Sequence, residues 1–289
     1  MLYNATRSTW IKFVVIGTFT FISLLWLYRF TGAFIPTTVK ISGLWNIDED
    51  QSADTGDEPT PDSTASKPVE ILESTKSVIL GKTKREDATW VKRKLPHWRS
   101  VIYSMDELES TEYHHVSINK GNEAMAYLTY LIDYYDDLSD VNVFIHAHEE
   151  GYPHAWHNEF PNSNYSMVNM LQRVRIDNVH KNGYVNLRCN GNPGCNPKQP
   201  RPFNTDSKED ILGRAFGKLW EHMYGNTSFP NDVRVPCCAQ FAVSRSRIRE
   251  QPREFYERAR EWIVGTDEED PGRPMEYFWH IMFGMPPVL

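Results

Sequence analysis

A basic surplus is what this sequence lacks. Its 31 lysines and arginines stand against 38 acids, leaving a net charge of -7. A nucleic-acid binder is expected to show a basic face, so this balance argues against nucleic acid as a partner. Glycine-rich phosphate loops are missing too, with neither G-x-G-x-x-G nor a Walker pattern. No G-x-S-x-G elbow and no H-E-x-x-H occur, which sets aside serine hydrolases and zincin proteases. There is no internal repeat. Cysteine is scarce, with four in 289 residues: Cys189 and Cys195 around a Gly-Asn-Pro-Gly turn, and the adjacent Cys237 and Cys238. Neighbouring cysteines joined to each other close a strained ring, so two bridges from the first pair to the second are expected. Both connectivities stay open, and a zinc site is the alternative.

What is present divides into parts. Residues 1–40 hold four basic side chains and no acid, whereas 41–66 hold seven acids and no base. Phe13 to Tyr28 is uncharged, and Trp10, Trp26 and Tyr28 lie near its ends. With Trp10, Ile11 and a snorkelling Lys12 it reaches about 19 residues, enough to cross a hydrocarbon core. The run is longer than a secretory h-region and no clear cleavage site follows. Residues 10–29 are therefore expected to be a retained signal anchor, behind a cytosolic tail of residues 1–9. Residues 30–85, rich in acids, Pro, Ser and Thr, read as a mostly disordered stem. Residues 86–289 read as the globular domain, with aromatic content too high for a wholly disordered chain. The expected location is the secretory pathway, Golgi or ER, as a single-pass membrane protein with its domain lumenal. There Asn164 and Asn226, in Asn-Tyr-Ser and Asn-Thr-Ser, would be glycosylation acceptors.

Hydrophobic periodicity gives an α/β domain. Val101-Ile-Tyr and Tyr113 to Ile118 are strand candidates, and a helix follows with Leu128, Leu131, Ile132, Tyr135 and Leu138 on one face. Val141 to His148 reads as a strand, with Val141, Val143 and Ile145 sharing a face. Strand, helix, strand at this spacing implies a right-handed crossover in a mostly parallel central sheet flanked by helices. Val185 to Arg188 and Val233 to Val243 are further strand candidates. Helices are expected from Ser207, from Pro252 to Trp262, and from Met275 to Phe283.

Strand parity places His146 and His148 together at a carboxyl strand end, where ligands of open α/β sheets bind. Two imidazoles there can reach one ion. Glu276 and His280, at i and i+4 of the last helix, are candidates to complete the set, and Glu123 or Glu149 is the candidate base. His154 and His157 follow in the next loop. Free N–H groups at Asn119 and Gly121, where a helix opens, can hold an anion. Gln240 and Arg245 are the polar groups of their strand that can face a site.

The blocks NKGNEAMAYLTYLIDYYDDLSDVNVFIHAH, AWHN, GYVNLRC with PGC, CCAQFAVSR and MEYFWHIMFG together resemble the largely fungal domain-of-unknown-function 3431 family over about residues 98–284. More distantly, the Asn-x-Gly turn, the helix ending in Tyr-Asp and the strand ending in His-x-His are similar to polysaccharide glycosyltransferases of the GT-A type. That resemblance implies a GT-A-like, reduced sheet domain with a nucleotide sugar near Asn119, Gly121 and Glu123. It also implies a divalent metal, Mn or Mg, at the strand end, although no Asp-x-Asp follows a strand here. The leading expectation is a membrane-anchored lumenal glycosyltransferase-like enzyme acting on a glycan or a small secondary metabolite. The alternatives are a copper- or zinc-dependent oxidase or cyclase, which the pair His154 and His157 suggests, and a non-catalytic lumenal binding protein.

Overall fold

Val78, Ile79 and Leu80 form a fully buried apolar run at the centre of the molecule. A strand covered on both faces needs continuous hydrophobicity rather than alternation, and Lys76–Lys82 accordingly forms the central strand β1. The computed structural model describes residues 75–107, 109, 112–188, 210–230 and 232–289, all within one unit, Pro68–Leu289. The expected tail, anchor and stem up to residue 74, and Cys189 and Cys195, lie outside the described residues. Among the described residues no helix is long and apolar enough to cross a membrane. The domain boundary at residue 86 is corrected, because β1 lies wholly before it.

Strands β2 (Arg99–Ser104), β3 (His114–His115), β4 (Val141–Phe144), β5 (Tyr184–Asn186) and β6 (Phe241–Ser244) complete a six-stranded sheet of order β3-β2-β1-β4-β6-β5. β1 pairs in parallel with β2 and β4, β2 with β3 likewise, and β6 is antiparallel to both its neighbours. The mostly parallel α/β sheet is thus present. From β1 the chain winds outward through β2 and β3, while β4 lies on the other side of β1. The winding therefore reverses between β1 and β4, and the crevice beyond their carboxyl ends is a topological switch point.

Helices α1 (Thr89–Lys94), α2 (Glu123–Asp133), α3 (Met167–Gln172), α4 (Ile176–Asn182), α5 (Ile211–Tyr224), α6 (Arg245–Ile248), α7 (Arg253–Gly265) and α8 (Gly272–Met282) cover both faces. Ile79, Tyr103, Phe144 and Phe241 pack with α2, α5, α7 and α8 in one core. Val78, Leu80, Ile102, Val143 and Ile145 pack with α1, α3 and α4 in the other. Helix α2 is buried from Ala124 to Ile132, so truncating Leu131 to Ala would cost roughly 2–5 kcal/mol. Asp210 caps α5, its carboxylate accepting from the Gly213 N–H at 2.8 Å, and Ser207, the expected start, lies outside the described residues.

Candidate active site at the carboxyl edge of the sheet

β4 ends at Phe144, four residues earlier than expected, and Ile145 still donates to the Ile79 carbonyl at 3.0 Å. Beyond it, residues 146–148 are held from several sides. The His146 N–H donates to Gln240 Oε1 at 3.2 Å, and the Trp90 indole on α1 donates to the Ala147 carbonyl at 2.8 Å. Asn158 Nδ2 donates to the His148 carbonyl at 3.3 Å. Gln240, fully buried, turns its amide the other way to donate to the His157 carbonyl at 3.0 Å. These bonds fix a loop that periodicity alone cannot place.

The His146 ring donates from Nε2 to the Cys238 carbonyl at 2.8 Å, which leaves Nδ1 as its other face. Cys238 in turn donates its N–H to Glu276 Oε2 at 3.2 Å, and the other Glu276 oxygen accepts from Arg273 at 2.7 Å. Glu123 opens α2 beside them. Burial pushes its carboxyl pKa up, opposed by His146 nearby and reinforced by Glu276 and Asp270. One turn along α2, the buried Tyr127 hydroxyl has no hydrogen-bond partner among the described residues, and burial beside Glu123 and Glu276 drives its pKa far upward. Two carboxylates, an imidazole and a phenol therefore share one region of low polarity.

A train of imidazoles runs outward from His146. Its ring centroid is 4.4 Å from that of His157, which is 5.2 Å from His148, which is 6.1 Å from His154. His157 is only 5% exposed. Burial, with His146, His148 and Arg188 nearby, pushes its pKa down to about 2, so it is neutral at physiological pH. The Arg188 guanidinium is buried, lies 5.0 Å from the Trp156 ring centroid, and donates to the sulfurs of Cys237 and Cys238 at 3.2 and 3.3 Å. On the outer side, His148 Nε2 lies 3.3 Å from Glu86 Oε1.

Of the residues expected at a site, the structure gathers Glu123, His146, Gln240 and Glu276 at this edge, with His148 following. It does not gather the rest. His280 is fully buried and pairs Nε2 with the Pro287 carbonyl at 3.0 Å, and burial brings its pKa down to about 4. Arg245 stands at the amino end of β4, because β6 runs antiparallel to it; there it pairs with Asp140 at 2.9 Å and Leu138 O at 2.8 Å. Glu149 is engaged by Lys94 and Arg93 of α1, which removes it as a base. Asn119 is exposed. Gly121 is a packing position: at φ +80°, its Cβ would stand 2.7 Å from Ile263 Cγ2 on α7. Among the described residues, no group of three or more His, Cys, Asp or Glu is arranged to hold a metal ion.

The cysteine expectation is corrected as well. Cys237 and Cys238 are bonded to each other, where Cys238 and Ala239 both take positive φ, 82° and 45°. Backbone in that region lets the two sulfurs meet on one side of the peptide. The acceptor candidates Asn164 and Asn226 are both exposed. Glu86, Arg188 and the bridging position of His157 were not legible in advance. Glu86 lay at the edge of what reads as stem, and only the His154 and His157 pair gave a signal.

A family model described as "Protein of unknown function (DUF3431)" matches residues 78–289. No curated protein and no solved structure matches the chain.

Proposed function

The chain belongs to the DUF3431 family, and from that premise we propose that it is a membrane-anchored, lumenal glycosyltransferase-like enzyme. One observation carries the reading: Glu123, His146, Gln240 and Glu276, from four separate segments, converge at the switch-point edge of the sheet. Ligands of open α/β sheets bind there. His146 and His148 follow the end of β4, and Glu123, which the GT-A resemblance sets near the nucleotide sugar, lies close to His146. Glu123 and Glu276 suit the hydroxyl groups of a glycan or small polyol, since half-buried carboxylates accept strongly. The buried Arg188 cation, close enough to His157 to act on it, suits a departing diphosphate.

A divalent metal does not fit the residues as they stand. His146 spends Nε2 on Cys238, His280 turns to Pro287, and Glu276 is bonded to Cys238 and Arg273. No step is derived through a metal.

Equilibrium binding of a panel of nucleoside diphosphate sugars to the full chain tests the proposal. At least one donor should bind and raise the unfolding temperature, and Glu276→Gln should weaken it about tenfold or more. Binding of a glycan without any nucleotide sugar would point instead to a non-catalytic lumenal binder.

A further inference from the structure

His148 has one ring nitrogen against a carboxylate and the other buried with no hydrogen-bond partner among the described residues. Building on the glycosyltransferase reading, we propose that Glu86 and His148 form a carboxylate–imidazole dyad. Its Nδ1 accepts the proton of a substrate hydroxyl, while His157 donates to that hydroxyl's oxygen.

The geometry selects the tautomer. A carboxylate 3.3 Å from Nε2 favours a proton on that nitrogen, which leaves Nδ1 as a bare lone pair. Glu86 is itself fixed, because Oε2 accepts from both the N–H and the hydroxyl of Thr83 at 2.8 Å each. The neighbouring ring supplies the complement. His157 is 5% exposed and its Nε2 is likewise buried without a partner. A neutral His157 carrying its proton on Nε2 sets a donor beside that acceptor in this proposal, on a ring 5.2 Å away between centroids, and one hydroxyl group can satisfy both. Two orphaned ring nitrogens side by side are costly unless a ligand or water completes them.

The groups facing His148 are Glu86 from the β1–α1 loop, His146 from its own segment, and His154 and His157 from the following loop. Burial, with His146 and His154 nearby, depresses its pKa, and Glu86 opposes that. The other candidate bases are less well placed: Glu149 is held in ion pairs by Arg93 and Lys94 of α1, and burial next to Glu276 raises the pKa of Glu123. In the transfer step the substrate O–H bond breaks and its proton moves to Nδ1, giving an imidazolium beside Glu86. The freed oxygen bonds to the sugar carbon of the nucleoside diphosphate sugar. The bond from that carbon to the diphosphate breaks, and its electron pair leaves with the diphosphate. Glu86 is a positioning residue in this scheme, and His148 is catalytic.

Long-range 1H–15N NMR on the full chain reads the tautomer without any substrate. His148 should carry its proton on Nε2 with Nδ1 bare, and Glu86→Gln should populate the other tautomer. A wild-type Nδ1–H form, or a tautomer indifferent to Glu86→Gln, overturns the dyad. With a nucleoside diphosphate sugar that turns over, His148→Ala should lower kcat about 100-fold or more, with little change in KM. Added imidazole should restore part of the loss, which a structural role would not allow. Turnover untouched by His148→Ala overturns the base. Absence of turnover with every donor, alongside the expected tautomer, overturns the transferase reading and leaves the dyad supported.

Discussion

Gln240 holds His146 in place: its side-chain oxygen accepts from the His146 backbone N–H at 3.2 Å. The same amide donates to His157 O at 3.0 Å, so one fully buried side chain ties together the two segments that carry the imidazoles. Replacing Gln240 with Leu would strand a donor and an acceptor in the interior. The expected loss is roughly 2–5 kcal/mol of stability. Urea unfolding should show a lower midpoint at unchanged slope.

Gly272 meets Gly121 more closely than any side chain permits. A Cβ on Gly272 would lie 2.6 Å from the Gly121 carbonyl oxygen and 2.8 Å from its carbon. Backbone cannot yield as a flexible side chain does, so Gly272→Ala should cost about 1–3 kcal/mol. Gly265 has open space around its Cβ position, and Gly265→Ala is the control, expected within roughly 0.5 kcal/mol of wild type. Thermal unfolding of the two variants makes the comparison.

His157 and His280 link stability to acid. Both have pKa values lowered by burial, to about 2 and about 4, from an ordinary 6.5. Their contribution is complete above pH 6.5. As pH falls below that, the unfolded chain takes up the two protons and the native state does not. Each should therefore remove about 1.4 kcal/mol per pH unit, until pH reaches the native value of that group. Chemical denaturation of His280→Asn between pH 7 and 4 should lose less stability than wild type by one proton's slope. Parallel pH profiles would refute the assignment.

The cysteine arrangement is open to peptide mapping without reduction. A single peptide should carry both Cys237 and Cys238 resistant to alkylation. Recovery of either one cross-linked to Cys189 or Cys195 would contradict the observed bond.

The alternation of elements was legible because amphipathic helices and branched strands have distinct periods. Helix α7 (Arg253–Gly265) begins one residue after the expected Pro252, and α8 overlaps Met275 to Phe283 in all but its ends. β1 was not legible. Its three-residue apolar core of Val78, Ile79 and Leu80, flanked by lysines and preceded by a polar tract, is too short to oppose the composition around it. β6 proved to be Phe241–Ser244 rather than a run from Val233, since Pro236 and the positive φ values at 238 and 239 break the ladder. Strand parity holds within β4, where Val143 and Phe144 enter opposite cores, but His146 already lies past the strand's end. Parity could not carry to His148 either, because the strand stops at Phe144. Long-range pairings such as His146 with Cys238, or Glu86 with His148, follow from topology and leave no local pattern in the sequence.

Turnover of nucleoside diphosphate sugars by the full chain, compared between wild type and Glu123→Gln, bears most directly on the claim that the β4 edge is an active centre. Wild type should release nucleoside diphosphate from at least one donor. The variant, which loses a strong acceptor for the substrate hydroxyl groups, should fall about tenfold or more in kcat/KM while unfolding at the wild-type temperature. Equal rates in the two proteins would contradict the account.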